Sequence, residues 1–128
     1  MKKYYSIITA TLLGMLITGC STTLPSKWDD NESAGAADVY WSIQEIRCDD
    51  PLVHRYMDHA YGKINWLYYY TKLKGTDDIH PLVDGMRVTI EPLTGKEVGE
   101  INPKFCELKR RVLVEQAIII SDTVMGRF

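Results

Sequence analysis

The segment Pro51–Lys74 constrains the fold most, because the sequence marks a helix at both of its ends. Asp50 can accept hydrogen bonds from the free N–H groups of a first helical turn, and Pro51 has no N–H to leave unpaired. Gly75 is a typical helix terminator. The sequence therefore predicts a long helix, and its apolar or small residues recur at near-helical spacing: Leu52, Tyr56, Ala60, Ile64, Leu67 and Thr71.

Two further helices are predicted on either side of it. The first covers about 37–47, where Val39, Ile43 and Ile46 recur at helical spacing. The second begins at Asn102-Pro103, which repeats the pairing of a capping residue with proline, and runs to about Asp122. Its repeating residues are Phe105, Leu108, Val112, Glu115 or Gln116, and Ile119. The stretch 112–124 is rich in β-branched residues, so a late change to strand remains an alternative.

A β-hairpin is predicted between these helices. Residues 76–85 contain Asp, Pro and Gly and indicate a loop, and Met86–Glu91 alternates like a strand. Residues 92–96 supply a turn, and Glu97–Ile101 is the candidate return strand. A two-stranded hairpin is marginal alone and must pack on helices. The predicted fold class is therefore α+β: a small, mostly helical domain of about three helices with one hairpin.

The first twenty residues have the organisation of an export signal. Lys2 and Lys3 precede the uncharged run Ile7–Ile17, which is too short to span a bilayer. The run ends in Ile17-Thr18-Gly19-Cys20. These four positions resemble the lipobox of bacterial lipoprotein precursors, which consists of an aliphatic residue, a small or β-branched residue, a small residue and cysteine. The alternatives are an ordinary secretory signal with an incidental cysteine and an uncleaved apolar terminus.

The resemblance implies a signal peptide at 1–19 and lipidation at Cys20. The thiol would carry a diacylglycerol and the new N-terminus a third, palmitate-type acyl chain; more than one chain makes a stable anchor. Ser21 favours the outer membrane, with the protein facing the periplasm. Residues 20–36 are then expected to be a flexible, lipidated tether, and 37–128 a single globular domain. Trp28 would either dock on that domain or rest at the lipid headgroups.

Removal of the signal changes both the charge and the cysteine count. The mature chain keeps 13 basic and 17 acidic residues, a net charge of −4, so no nucleic-acid partner is expected. Cys48 and Cys106 remain in an oxidising compartment, where a disulfide between them is expected. Two free buried thiols or an intermolecular bridge are the alternatives.

No catalytic or metal-binding motif stands out. His54 and Asp58 share a helical face, but His59 is rotated away and His80 is distant in sequence, so no metal site and no cofactor are predicted. The chain lacks a GxSxG motif and a glycine-rich phosphate loop. Paired aspartates of the kind found here usually cap helices or form turns. We therefore expect the protein not to be an enzyme.

The aromatic run 66–70 is the most unusual feature of the composition. Consecutive helical residues point around the whole helix, so some of Trp66, Tyr69, Tyr70 and Tyr61 should face a partner; alternatively, two neighbouring helices cover them. The expected function is a non-enzymatic accessory lipoprotein that binds another envelope protein, as assembly or pilot factors of secretion, conjugation or pilus systems do. The alternatives are an exclusion or immunity lipoprotein against phage, plasmid or toxin, and a cell-wall-acting enzyme or glycan-binding factor.

Overall fold

The computed structural model describes residues 27–127, so the predicted signal peptide, the lipobox and Cys20 lie outside the described residues. Within that range the regular structure is entirely helical and contains no strand. Four α-helices and one short 3₁₀ helix follow one another along the chain. They are α1 (Asp30–Gln44), α2 (Val53–Lys74), α3 (His80–Ile90), the 3₁₀ helix (Glu91–Leu93) and α4 (Pro103–Met125).

The four helices form an antiparallel bundle in which α1 packs on α2 and α4, and α3 packs on the same two helices. At one end, the Cys48–Cys106 disulfide joins the turn before α2 to the first turn of α4. At the other end, Arg127 after α4 contacts Glu32 in α1 and Asp78 before α3. Successive helices therefore run in opposite directions.

The bundle core is built from aliphatic side chains and methionine. Each helix contributes one buried stripe at helical spacing, and the stripes meet along the bundle axis. The fully buried large residues include Ile43, Met57, Ile64, Leu67, Ile79, Met86, Ile90, Leu113 and Ile120. None of the helices within 27–127 combines the length and apolar character that a membrane crossing requires.

The predicted β-hairpin is wrong, and with it the α+β fold class. Met86–Ile90 lies in α3, which continues through Glu91 into the 3₁₀ helix, and 97–101 is irregular. Pro81 stands in the first turn of α3, where it favours a helix rather than a loop. The fully buried residues Ile79, Val83, Met86 and Ile90 recur at helical spacing. Packing of this stripe on α2 and α4 outweighs the strand preference of the β-branched residues.

Helix α1 begins at Asp30, inside the segment 20–36 that the sequence predicts as a tether. The Asp29 carboxylate accepts a hydrogen bond from the Glu32 N–H and so caps the first turn. Gly35 and Ala36 are buried because their small size allows close packing. Trp28 packs against the core, and its indole N–H donates to Asp30.

The predicted helix 51–74 is confirmed, with the regular part beginning at Val53. The Leu52 N–H donates to Asp50 at 2.7 Å, and Gly75 ends the helix in the left-handed conformation, at φ +74°. The C-terminal segment is helical through Met125, which excludes the alternative strand at 112–124. Asn102 caps α4 by accepting hydrogen bonds from the second and third N–H groups of the helix.

The apolar stripe from which the sequence predicts α4 is not the stripe that packs into the core. The stripe of Phe105, Leu108, Val112 and Ile119 is exposed, whereas Cys106, Leu113, Ala117, Ile120 and Val124 form the core stripe. The two apolar stripes lie about 100° apart around the helix. Apolar spacing alone cannot distinguish them. The disulfide at Cys106 holds the second stripe inward.

The predicted disulfide is confirmed, with the Cα atoms of Cys48 and Cys106 5.7 Å apart. Cys48 precedes α2, and Cys106 lies in the first turn of α4. Near the same end of the bundle, the Asp58 carboxylate accepts a hydrogen bond from the Gly95 N–H and ties the loop after the 3₁₀ helix to α2.

Candidate functional site

The aromatic side chains of α2 divide between two sides of the helix. Trp66 and Tyr70 lean towards α1, where their rings stack with centroids 5.0 Å apart and planes 14° apart. Tyr61 and Tyr68 lie on the α3 side and pack partly against the core. Tyr69 stands between these sides and is about half exposed. The four residues predicted to bind a partner therefore do not form one face.

The Trp66 indole packs closely against α1 at Gly35, which has no side chain. A Cβ atom at position 35 would come within 2.5 Å of Trp66 Cζ3, so the indole occupies the space that a side chain would fill. Tyr70 supports the same ring by stacking. The Trp66 side chain nevertheless remains 50% exposed. It is thus a large aromatic group whose position is fixed before any partner binds.

Tyr70 has a structural part in this arrangement. Its hydroxyl lies 3.0 and 3.1 Å from the two carboxylate oxygens of Asp29, and the same carboxylate caps α1. Lys74 forms an ion pair with Asp29 as well. Loss of the Tyr70 hydroxyl would therefore disturb the start of α1. Trp66 and Tyr69 are the better residues for testing partner binding.

An open groove of about 460 Å³ runs beside Trp66 between α1 and α2. Asp38 and Lys63 form an ion pair of 3.1 Å that crosses the two helices at the groove. The remaining walls are mostly small or apolar, which leaves helix backbone close to the surface. The lining residues are Asn31, Ala34, Gly35, Asp38, Gly62, Lys63 and Trp66.

A polar cluster that the sequence did not reveal lies on the α3 side of α2. The Arg87 guanidinium stands 4.2 Å from the centre of the Tyr68 ring and pairs with Asp84. His80 packs on the same ring, and its Nδ1 lies 3.0 Å from the Thr71 hydroxyl. Desolvation lowers the pKa of Arg87, but the hydrogen bond to Asp84 and nearby tyrosine and aspartate charges raise it overall. These groups satisfy one another and join α2 to α3.

The residues considered for metal binding have other contacts. Asp58 accepts the Gly95 N–H, and His80 pairs with Thr71. His54 Nδ1 is buried without a hydrogen-bond partner among the described residues. Across 27–127, no group of three or more His, Cys, Asp and Glu side chains is arranged to hold a metal ion.

A buried ion network closes the other end of the bundle. The side chains of Arg127 and Glu32 are both fully buried and pair at 3.2 Å. Arg127 also pairs with Asp78 at 2.8 Å, and the Thr76 hydroxyl donates to Glu32. Desolvation lowers the pKa of the Arg127 guanidinium, but hydrogen bonds and charge attraction from the two carboxylates raise it overall. The partners are far apart in sequence, so no local pattern predicted this network.

Comparisons with protein-family models, with curated proteins and with solved structures find no match to this chain.

Proposed function

We propose that this protein is a non-enzymatic accessory lipoprotein that binds another envelope protein through the α2 surface around Trp66 and Tyr69. It would be anchored by lipid at Cys20 in the outer membrane and face the periplasm, as the lipobox resemblance and Ser21 imply. One observation supports the proposed binding of a partner. The Trp66 side chain is half exposed, yet it is packed between Gly35 and the ring of Tyr70.

A fixed aromatic side chain suits a binding role for an energetic reason. Ordering a free side chain on association costs about 0.5–1.5 kcal/mol. Trp66 avoids most of this cost, because its side chain is already ordered in the folded protein. Tryptophan and tyrosine are enriched among the residues that dominate protein interfaces. The adjoining groove offers a partner side chain a place to insert beside the ring.

The groove favours a protein partner over a glycan. A glycan site needs several polar groups that are free to bond hydroxyls around an aromatic platform. Here Asp38 and Lys63 are bonded to each other, and most other walls are small or apolar. An apolar or aromatic side chain fits such walls better than a sugar does.

The proposal is tested with the full-length chain in the cells that make it. A photo-crosslinking amino acid at position 69, beside Trp66, should give a defined adduct with one envelope protein, which mass spectrometry identifies. In that background Trp66→Ala should reduce the adduct at least tenfold, equivalent to a loss of about 1.4 kcal/mol. Cys20→Ser should remove both acyl labelling and membrane retention.

The matched control is Trp41→Ala. Trp41 is 64% exposed but lies in a different groove, between α1 and α4. It should leave the adduct unchanged. Equal losses from both tryptophan variants, or no protein adduct at position 69, would contradict the binding role. An adduct that carries glycan instead of protein would favour the cell-wall alternative.

A further inference from the structure

A single carboxylate, that of Asp29, is bonded to both of the surfaces that hold the Trp66 indole. The indole stacks on the Tyr70 ring, and it packs against α1 at Gly35. Asp29 accepts a hydrogen bond from the Tyr70 hydroxyl, and it also caps the first turn of α1. The ring on one side of Trp66 and the helix on the other therefore depend on the same side chain.

The contact between Asp29 and Tyr70 is suited to fixing the direction of the tyrosine ring. Both carboxylate oxygens lie within hydrogen-bond distance of the Tyr70 hydroxyl, at 3.0 and 3.1 Å. A hydrogen bond to a charged group is stronger than one between neutral groups. The Asp29 side chain is only 13% exposed, so water competes little for the bond. Lys74 forms an ion pair with the same carboxylate and helps to hold it in place.

Without this hydrogen bond the Tyr70 ring would be attached only at its Cβ end. A tyrosine side chain turns about two bonds, and stacked aromatic rings tolerate offset and tilt. The bond from the hydroxyl fixes the far end of the ring as well. Because the Trp66 side chain is 50% exposed, its indole is free to turn towards solvent when the supporting ring moves.

We propose that Asp29 is a positioning residue for the Trp66 surface and acts through the hydrogen bond from the Tyr70 hydroxyl. The inference rests on the partner binding proposed above. It assigns to Asp29 an effect on that binding through Tyr70 and not through contact with the partner. Asp29 directly precedes α1, so its side chain links the start of the first helix to the aromatic group on the second.

Helix capping alone does not require the contact with Tyr70. A cap needs one side-chain oxygen near the free N–H groups of the first turn, and serine, asparagine and aspartate all supply it. Asn102 caps α4 in this way, at the other end of the bundle from Asp29. An exchange at Asn102 therefore provides a matched control for an exchange at Asp29.

Fluorine NMR tests the role of Asp29 in the full-length chain, in detergent and labelled with 6-fluorotryptophan. The fluorine then lies on Cη2 and not on the Cζ3 atom that faces Gly35. Trp66→Phe identifies the Trp66 signal. Asp29→Ser keeps a capping hydroxyl, but its side chain is shorter and cannot reach Tyr70 while it caps α1. This variant should shift the Trp66 signal and enlarge its displacement between light and heavy water, which increases with exposure of the ring.

Further variants isolate the hydrogen bond from the cap. Tyr70→Phe keeps the stacked ring without its hydroxyl and should change the Trp66 signal as Asp29→Ser does. The double variant should change it no further, because both substitutions remove the same bond. Asp29→Asn keeps an acceptor for both contacts and should restore the wild-type signal. Asn102→Ser should leave the Trp66 signal unchanged, and in every variant the Trp41 signal should stay in place, since Trp41 lines a different groove.

The photo-crosslinked adduct at position 69 supplies the functional measurement. Asp29→Ser should reduce the adduct, whereas Asp29→Asn and Asn102→Ser should not. The proposal is overturned if Asp29→Ser changes the Trp66 signal no more than Asn102→Ser does, or if it leaves the adduct unchanged. Additive effects of Asp29→Ser and Tyr70→Phe, or no restoration by Asp29→Asn, would also overturn it. The NMR measurement needs no partner, so an absent adduct in wild type contradicts the proposed binding, and an unchanged Trp66 signal contradicts the role of Asp29.

Discussion

Removal of the Arg127 side chain should strongly destabilise the bundle, although Arg127 lies just after the end of α4. Its guanidinium makes four hydrogen bonds, two to Glu32 and two to Asp78, at 2.8–3.4 Å. In Arg127→Met, Asp78 can turn to water because it is partly exposed. Glu32 cannot, since its side chain is fully buried and, among residues 27–127, keeps only the Thr76 hydroxyl as a side-chain partner.

The magnitude follows from the unpaired charge that remains. Breaking a buried ion pair by removal of one partner costs about 3–5 kcal/mol. Domains of this size have a total stability of about 5–15 kcal/mol, so the variant should be close to the limit of folding. The double variant Glu32→Met/Arg127→Met removes both buried charges and should recover at least about 2 kcal/mol of that loss. Arg127→Lys keeps the charge and should cost less than Arg127→Met.

The assay is urea denaturation followed by far-ultraviolet circular dichroism, with the disulfide intact. Lys63→Met is the matched control, because it breaks an exposed ion pair and should cost at most about 1 kcal/mol. The reasoning fails if Arg127→Met costs no more than this control. It also fails if the double variant is as unstable as Arg127→Met, because the penalty would then not come from the buried Glu32 charge.

Two other perturbations test the disulfide and the packing of the Trp66 indole against Gly35. Reduction of Cys48–Cys106, or its replacement by two serines, should cost roughly 4 kcal/mol in chemical denaturation, because the bridge spans 58 positions; free thiols at both positions in exported protein would contradict the bridge. Gly35→Ala gains about 1 kcal/mol of helix propensity but displaces Trp66, so net stability should change little. In a chain with Trp66 as the sole tryptophan, this variant should raise fluorescence quenching by acrylamide, and unchanged quenching would show that Gly35 does not hold the ring.

The sequence predicted the helices whose ends carry chemical signals. Asp50-Pro51 and Gly75 bound the segment of α2, and Asn102-Pro103 starts α4. It failed at α3, because Met86–Ile90 satisfies the alternation of a strand and the spacing of a helix equally well. It also placed the start of α1 too late, since a segment rich in polar and small residues resembles a tether until its packing surface is known.

The candidate site was only partly predictable. The aromatic run shows that α2 cannot bury all of its rings, but not which of them lie together. The neighbouring helices decide this: Gly35 in α1 seats Trp66, whereas Arg87 in α3 covers Tyr68. Likewise, the apolar spacing that predicted α4 belongs to the stripe that the folded protein leaves exposed. A helix with two apolar stripes does not reveal which one faces inward.

The sequence by itself predicted the Cys48–Cys106 pairing, both ends of the segment of α2 and the start of α4. These predictions depend on local chemistry or on a count: caps act within one turn, and two cysteines remain if Cys20 carries lipid, as the lipobox resemblance implies. Only the tertiary structure decided that 80–93 is helical, which stripe of α4 is buried, and that Arg127 meets Glu32. These depend on contacts between residues far apart in the chain, and burial of whole side chains outweighs the fractions of a kcal/mol that local propensity supplies.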